Sequence, residues 1–97
     1  MTSLDQLALE VVAWQQHQFP HRTAHSIATH LSREAAELVA VPNDAEEMAD
    51  IFMLLVGAAD RSGVNLINAV AAKLEKNKAR TWGTPDADGV VSHVEQH

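Results

Sequence analysis

Two pairs of acidic residues lie among apolar positions on two consecutive predicted helices. At about 100° per residue, Glu34 falls within the apolar stripe of the first of these helices, and Glu37 lies at its edge. Glu47 falls within the stripe of the next helix, and Asp50 lies one row aside. The apolar positions that define the stripes are Ile27, Leu31, Leu38 and Val41, and then Ile51, Leu54 and Ala58. Because a buried ionised carboxylate is costly unless a positive charge meets it, the pattern predicts a cation between the helices.

A short connection is expected to bring the two acidic pairs together. Pro42-Asn43-Asp44 is typical of a turn, and a tight turn between antiparallel helices places the end of one beside the start of the next. A single pair of this kind usually lies on a solvated helix face, but two pairs within apolar stripes favour metal binding. Oxygen ligands without histidine select Mg²⁺, with Mn²⁺ as a substitute. The predicted ligands are Glu34, Glu37, Glu47 and Asp50.

The composition limits the class of protein. The chain has 97 residues, which is typical of a single domain spanning 1–97. It has only four aromatic residues, so we expect an aliphatic core, and it lacks cysteine, which excludes disulfides and thiolate metal sites. We expect neither a signal peptide nor a membrane span, because no apolar run of about 18 residues is present. These features predict a cytoplasmic protein.

The positive charges are clustered although the chain is acidic overall. A net charge of −6 argues against binding to a nucleic acid polymer, because phosphate contacts need a basic face. Five of the seven Lys and Arg residues nevertheless lie between Arg61 and Arg80. Lys73, Asn77 and Arg80 are spaced i, i+4, i+7 and would form a row on one helix face. Such a row can bind phosphate oxygens; the alternative is an exposed basic edge.

Periodicity and capping signals predict an all-α chain of four helices. The first is expected to begin at Ser3 and end before Phe19, the second to span about His25 to Ala40, the third about Asp44 to Arg61, and the fourth Asn65 to about Arg80. Asn43 is expected to cap the third helix together with Glu46. Glycine and proline predict an irregular tail from Trp82 onward, ending in a short extended or helical piece over 90–97.

The third predicted helix is apolar nearly all round. Such a helix is buried on every side, and a chain this short has little with which to cover it. A partner subunit is the ordinary solution, so we expect a homodimer or a homotetramer. Met53 and Val56 lie on the face away from Glu47, so they are the expected interface residues.

The ordered set of motifs resembles the MazG-like, all-α nucleoside triphosphate pyrophosphohydrolases. That family carries E-x-x-E on one helix, E-x-x-D on the next and K-x-x-x-N-x-x-R downstream. Here the motifs read Glu34-Ala-Ala-Glu37, Glu47-Met-Ala-Asp50 and Lys73-Leu-Glu-Lys-Asn77-Lys-Ala-Arg80. The resemblance covers the chain from Trp14 to about His93, and its C-terminal part is similar to the short single-domain branch carried by integrons and phages.

The resemblance implies an enzyme that hydrolyses (deoxy)nucleoside triphosphates between the α and β phosphates with Mg²⁺. The products would be the monophosphate and pyrophosphate, and the role nucleotide-pool house-cleaning. The four acids would hold the metal, and Glu34 or Glu37 would also orient or deprotonate the attacking water. The residues that would bind the β and γ phosphates are Lys73, Asn77 and Arg80.

The base is expected to bind near the first loop. Trp14, His17 and Phe19 lie just before the metal helices and could form an aromatic wall that stacks a base. Trp14 also fits the apolar face of the first helix, so a purely structural role is the alternative. His30 lies one helical turn before Glu34, which allows a supporting hydrogen bond.

Two other classes compete with this interpretation. A di-iron carboxylate bundle needs Glu-x-x-His pairs, and no Glu in this chain has a His three residues later. A non-catalytic helical dimer, acting as a regulator or adaptor, would explain the apolar third helix. It would not explain acids within apolar stripes.

Overall fold

The computed structural model describes residues 3–94 and divides the chain into two compact units. The first unit runs to Leu66 and the second begins at Ile67. The helices are α1 (Leu4–Gln18), α2 (Ala24–Ala40), α3 (Ala45–Arg61) and α4 (Leu66–Lys78), and the strands are β1 (Thr81–Trp82) and β2 (His93–Val94). Within the described part of the chain, no helix is long and apolar enough to cross a membrane.

Local capping explains where the first two helices begin. Ser3, where the first helix was predicted to begin, forms a capping box with Gln6, each side chain accepting from the other's backbone N–H. Thr23 and Ser26 form a second capping box at the start of α2, which the sequence analysis did not identify. Both helices end just before proline, at Gln18 and Ala40, followed by C-caps at Phe19 and Val41.

A tight turn makes α2 and α3 an antiparallel hairpin. The Val41 N–H donates to the Glu37 carbonyl, and the Asp44 N–H donates to the Val41 carbonyl. Asp44 caps α3 by accepting from the backbone N–H groups of Glu46 and Glu47. The cap is thus Asp44, and the expectation of Asn43 was wrong by one position. An aspartate at this point also favours the helix dipole.

The core of the first unit lies where α3 packs against α1 and α2. Val11, Ile27, Leu54 and Val56 are its buried apolar residues. The side chain of Gln15 is also buried and donates from Nε2 to the Met53 carbonyl at 2.9 Å. The Gln15 side chain therefore packs directly against the backbone of α3.

The burial of Val56 corrects the expected subunit interface. Val56 is only 5% exposed within the single chain, and Met53 lines a cleft of the same chain. Neither is a free surface that waits for a partner. The exposed large apolar residues of α3 are instead Met48 and Leu55, at 48% and 42%.

A Schellman motif ends α3. Gly63 has φ +67°, which only glycine adopts without strain. Its N–H donates to the Asp60 carbonyl, and the Val64 N–H donates to the Ala59 carbonyl. The end of α3 at Arg61 is as predicted.

The second unit contains most of α4 and a two-stranded antiparallel ribbon. Trp82 pairs with His93, and Thr81 pairs with Val94. A turn closed by Gly89, with φ +79°, connects the strands, and Asp86 accepts two backbone N–H groups within it. The tail is therefore not wholly irregular, and the extended piece expected within 90–97 is confirmed for the described residues 93–94. Residues 95–97 lie outside the described part.

Candidate functional site

Three of the four predicted acids converge between α2 and α3. One carboxylate oxygen each from Glu34, Glu37 and Glu47 lies within 4.8 Å of the other two. Glu34 and Glu47 are half-buried and Glu37 is exposed. The antiparallel hairpin produces this meeting, because it sets the last turns of α2 beside the first turns of α3. The structure thus brings Glu34, Glu37 and Glu47 together, and Asp50 is not part of this cluster.

The cluster carries one buried carboxylate oxygen that has no donor. Oε1 of Glu47 has no hydrogen-bond partner among the residues that the structure describes. The pKa of Glu47 is raised to about 8, chiefly by its contact with Glu34, next by burial and then by its contact with Glu37. The pKa of Glu34 is lowered, chiefly by its contact with Glu47 and next by Glu37, with His30 as a further cause. Without a cation, the closeness of these acids therefore favours retention of a proton by the Glu34–Glu47 pair.

These features fit a divalent metal ion. The donors are carboxylate oxygens, which suit hard cations, and the buried Glu47 Oε1 atom has no hydrogen-bond partner among the described residues. A cation would replace the retained proton and remove the repulsion between the acids. The three residues that could hold it from the described cluster are Glu34, Glu37 and Glu47.

Asp50 lies apart from that cluster but close to it. Its side chain is exposed and, with Glu34, lines a cleft of about 190 Å³ between the helices of the first unit. The cleft is lined by Trp14, Gln15, Phe19, Arg22, His30, Glu34, Asp50, Met53 and Leu54. The lining thus includes the acidic Glu34 and Asp50 and an aromatic end made by Trp14 and Phe19.

The aromatic end is built by the end of α1 and the loop after it. The Trp14 and Phe19 rings meet edge to face, with centroids 5.5 Å apart. Trp14 is 50% exposed, so it keeps free ring surface. His17, by contrast, is exposed in the last turn of α1 and does not belong to the cleft lining. The structure therefore brings Trp14 and Phe19 into the cleft and leaves His17 outside it.

Arg22 and Gln15 are cleft residues that the sequence analysis missed. The Arg22 guanidinium carbon lies 4.0 Å from the centroid of the Phe19 ring, and Arg22 also approaches His30. One sequence signal could have pointed to it: Arg22 is one of only two cations that precede Arg61. Gln15 gave no such signal, since a single amide in an amphipathic helix is ordinary.

The second unit gathers the predicted phosphate-binding residues. α4 ends at Lys78, so Arg80 lies beyond the helix and the expectation of a helical row over all three was wrong. Arg80 nevertheless turns back and donates from Nη1 to Asn77 Oδ1 at 3.4 Å. The positive charge of Arg80 is the main cause that lowers the pKa of Lys73. Lys73, Asn77 and Arg80 thus remain neighbours.

The Trp82 indole supports this group. Its Nε1–H donates to the Asn77 carbonyl at 3.0 Å, and its ring meets the His93 ring edge to face. The ribbon therefore fixes the end of α4 from which Arg80 emerges. Like-charged Lys73 and Arg80 held close together favour an anion as their partner.

Comparison with known proteins decides the family. The sequence model of the family described as dATP/dGTP pyrophosphohydrolase matches residues 7–97. The chain belongs to this family. A dATP/dGTP diphosphohydrolase of Cyanophage S-2L is 33% identical over 91 residues, which cover 92% of this chain and 86% of the relative. The predicted enzyme class, a nucleoside triphosphate pyrophosphohydrolase, is confirmed at the level of the family.

A second member of the dATP/dGTP pyrophosphohydrolase family is much longer than this chain. The dATP/dGTP diphosphohydrolase of Salmonella phage PMBT28 is 36% identical over 85 residues. Those residues cover 87% of this chain but only 29% of the relative. The chain therefore spans less than a third of that protein.

A solved structure of the family also matches the fold. It is the Cyanophage S-2L MazG-like pyrophosphohydrolase bound to dGDP and three catalytic Mn²⁺ ions per active site. The TM-score is 0.83 at 30% identity, covering 98% of this chain and 100% of that chain. The resemblance to MazG-like enzymes and the mainly α, four-helix fold are confirmed.

Proposed function

We propose that this protein hydrolyses dATP and dGTP to the corresponding monophosphate and pyrophosphate, with Mg²⁺ or Mn²⁺ as cofactor. The observation that carries the proposal is the convergence of three carboxylates, of which Glu47 has a buried oxygen without a hydrogen-bond partner among the described residues. The substrates are suggested by the names of two phage relatives, and the metal by the Mn²⁺ ions of the cyanophage structure. Removal of purine deoxynucleotides from the pool, in the cytoplasm, is the role that follows.

The acids of α2 and α3 are the proposed metal ligands. Glu34, Glu37 and Glu47 offer the clustered oxygens, and Asp50 would add one from the cleft side. The bound metal supplies charge neutralisation on the triphosphate and lowers the pKa of a water molecule. Glu47 would lose its retained proton when it becomes a ligand.

Glu37 or Glu34 is proposed to guide the attacking water. The water oxygen forms a bond to the α phosphorus, the bond from that phosphorus to the bridging oxygen breaks, and the carboxylate accepts the water proton. Glu34 already accepts a hydrogen bond from His30, whereas Glu37 is exposed. Glu37 is thus the freer of the two for this proton transfer.

The group around Arg80 is proposed to bind the leaving pyrophosphate. Arg80 offers a planar fork of donors, Lys73 a compact positive charge and Asn77 an amide. Their charges would stabilise the negative charge that grows on the β and γ phosphates as the bond breaks. Arg80 is the main cause of the lowered pKa of Lys73, and a bound anion would raise that pKa again.

The aromatic end of the cleft is proposed to receive the base. Arg22 covers one face of the Phe19 ring, so the half-exposed Trp14 is the better stacking surface. Base stacking on an aromatic side chain is worth about 1–3 kcal/mol. Gln15 belongs to the same lining, although its Nε2 atom already donates to the Met53 carbonyl.

We also propose that the active form is a homodimer or homotetramer. Met48 and Leu55 are exposed and lie on one face of α3 with the half-buried Phe52 between them. A second copy of the chain would cover this apolar face, as symmetric oligomers commonly do.

Product analysis tests the reaction. With Mg²⁺ or Mn²⁺, the purified protein should convert dATP and dGTP into equal amounts of monophosphate and pyrophosphate. Chromatography measures both products. In water labelled with oxygen-18, the label should appear in the monophosphate, because attack occurs at the α phosphorus. Formation of a diphosphate and orthophosphate instead would show that the proposed bond is wrong.

Matched variants connect the reaction to the site. Glu37→Gln and Glu47→Gln should abolish turnover and leave the protein folded by circular dichroism. Glu75→Gln is the control, because Glu75 is exposed and pairs only with Lys78 among the described contacts. Equal activity of all three variants would remove the acids of α2 and α3 from the mechanism.

A further inference from the structure

A chain of three side chains runs from the aromatic end of the cleft to the acidic cluster. Arg22 lies over the Phe19 ring, with its guanidinium carbon 4.0 Å from the centroid. Arg22 Nη2 is 3.5 Å from His30 Nδ1, and His30 Nε2 is 2.9 Å from Glu34 Oε1. The contact between His30 and Glu34 is shorter than that between Arg22 and His30, so it is the stronger hydrogen bond of the two.

The donors and acceptors in this chain can be assigned from chemistry alone. An ionised carboxylate only accepts, so His30 Nε2 must carry the hydrogen that it donates to Glu34. A guanidinium only donates, so Nδ1 of the same ring must accept from Arg22. Both contacts therefore require the same tautomer of His30, and the two neighbours together select it.

The contact matters for Glu34 because that carboxylate has little access to water. The Glu34 side chain is 17% exposed, whereas that of His30 is 42% exposed. If the imidazole donor were removed, the Oε1 atom of Glu34 would lose its partner in a mostly buried position. The carboxylate could then rotate, because its remaining contacts are with the acids Glu47 and Glu37, and ionised carboxylates cannot donate to it.

We propose that His30 is a positioning residue that fixes the Glu34 carboxylate for metal binding, and that Arg22 holds His30 in the required tautomer. This inference rests on the proposed function, in which Glu34 is a metal ligand. Neither residue touches the metal or the reacting atoms. Hydrogen bonds to metal ligands orient them and typically change metal affinity about 10–100-fold.

A Mn²⁺ titration without nucleotide tests the inference. Free Mn²⁺ is measured by electron paramagnetic resonance in the wild type and in His30→Ala, His30→Gln and His30→Asn. We expect His30→Ala to weaken Mn²⁺ binding about 10–100-fold. His30→Gln should restore binding to within about threefold, because a glutamine amide reaches a residue at i+4. His30→Asn should not restore it, since its amide is too short.

The arginine is tested in the same titration. Arg22→Gln should weaken Mn²⁺ binding by less than His30→Ala, and should have no further effect in the His30→Gln background, which has no tautomer to select. His25→Ala is the control, because His25 is an exposed histidine of the same helix. Its Mn²⁺ affinity should equal that of the wild type.

The outcomes separate this inference from the proposed function. If the wild type binds no Mn²⁺, the proposed metal site fails. If the wild type binds Mn²⁺ and His30→Ala binds it equally well, only the positioning role is overturned. Equal losses in His30→Gln and His30→Ala would also overturn it, because the hydrogen-bond donor would then be irrelevant. Should His30→Ala be unfolded, the contrast between His30→Gln and His30→Asn decides the question alone.

Discussion

At the scale of single residues, the site is defined by how three carboxylates share charge. Glu47 and Glu34 have pKa values shifted in opposite directions, chiefly because each faces the other. Such a pair holds one proton between its members. The sequence identified both residues but could not tell which would be protonated, since that depends on burial and on the His30 contact. Only the structure therefore shows that Glu47 is the member of the pair with the raised pKa.

The first prediction concerns that proton. At pH 7, Glu47 with a pKa of about 8 is mostly protonated in the metal-free protein. Binding of Mn²⁺ should therefore release about one proton per chain, and Mn²⁺ affinity should rise with pH until about pH 8. Calorimetric titration in two buffers of different ionisation enthalpy measures the released protons. Glu47→Gln has no proton to release, so release that persists in this variant would assign the proton to another group.

The same shift sets the pH dependence of the metal-free fold. Between the ordinary value of 4.5 and about 8, the folded chain binds more protons at Glu47 than the unfolded chain does. This contribution to stability is therefore full below pH 4.5 and is lost as the pH rises to about 8. The lowered pKa of Glu34 acts in the opposite sense, and its contribution disappears as the pH falls below 4.5. In melting experiments from pH 5 to 8 without metal, Glu47→Gln should thus show a flatter profile than the wild type.

At the scale of helices and turns, local signals predicted most of the structure. Short-range signals are enough to locate the ends of α1, α2 and α3 within about one residue. These signals are Ser3 with Gln6, the prolines at 20 and 42, and Ser62-Gly63. The pairing of β1 with β2 was missed because it joins segments separated by a loop. The end of α4 at Lys78 was missed because Ala79 and Arg80 are themselves good helix formers.

The contacts across the cleft were harder to predict than the acidic cluster. The cluster follows from helix periodicity and a short turn, which are both local. The approach of Arg22 to Phe19 and His30 depends on how the loop between α1 and α2 folds. The close packing of Gln15 against Gly57 likewise depends on the distance between α1 and α3. No spacing in the sequence encodes these distances.

A prediction at this scale concerns the packing of α1 on α3. A Cβ atom at Gly57 would collide with Gln15 Oε1, which lies in a buried position. Gly57→Ala should displace this amide and break its hydrogen bond to the Met53 carbonyl, which costs about 1 kcal/mol, besides crowding of about 1–3 kcal/mol. The better helix propensity of alanine returns about 1 kcal/mol. The net loss of stability should be about 1–3 kcal/mol.

A double-mutant cycle provides the control for this packing. In a Gln15→Ala background the collision disappears, so Gly57→Ala should be neutral or stabilise by up to about 1 kcal/mol. Urea unfolding followed by circular dichroism gives all four free energies. If Gly57→Ala had the same effect in both backgrounds, the close approach of Gln15 and Gly57 would not limit the packing of α1 on α3.

At the scale of the whole molecule, many large apolar side chains are exposed while the buried core is small. Val39 is 82% exposed and Leu9 70%, and Met48 with Leu55 forms an apolar face on α3. The buried core of the first unit, by contrast, consists of few apolar residues. Association of several copies would stabilise such a chain, as the all-round apolar character of α3 first indicated.

The prediction for assembly uses Leu55. Leu55→Asp places a charge on a side chain that is exposed in the single chain, so the fold should persist while the oligomer dissociates. Light scattering at one protein concentration should show a lower mass than that of the wild type. Asn43→Asp adds the same charge in the exposed turn before α3 and should leave the mass unchanged. An unchanged mass for Leu55→Asp would place any interface elsewhere.

The final prediction separates phosphate binding from metal binding. Arg80→Ala should weaken a non-hydrolysable dATP analogue by at least about tenfold, because a charge-assisted bidentate contact is among the strongest polar interactions. Mn²⁺ binding without nucleotide should stay unchanged, and dAMP binding should change little, since Arg80 is assigned to the β and γ phosphates. Lys78→Ala is the matched control: it removes a nearby cation that pairs with the exposed Glu75. Calorimetric titration of both variants with the analogue, dAMP and Mn²⁺ gives the pattern directly. Equal losses for dAMP and the triphosphate analogue would move Arg80 to the α phosphate or the base, and no loss for either would make the basic group a solvated edge.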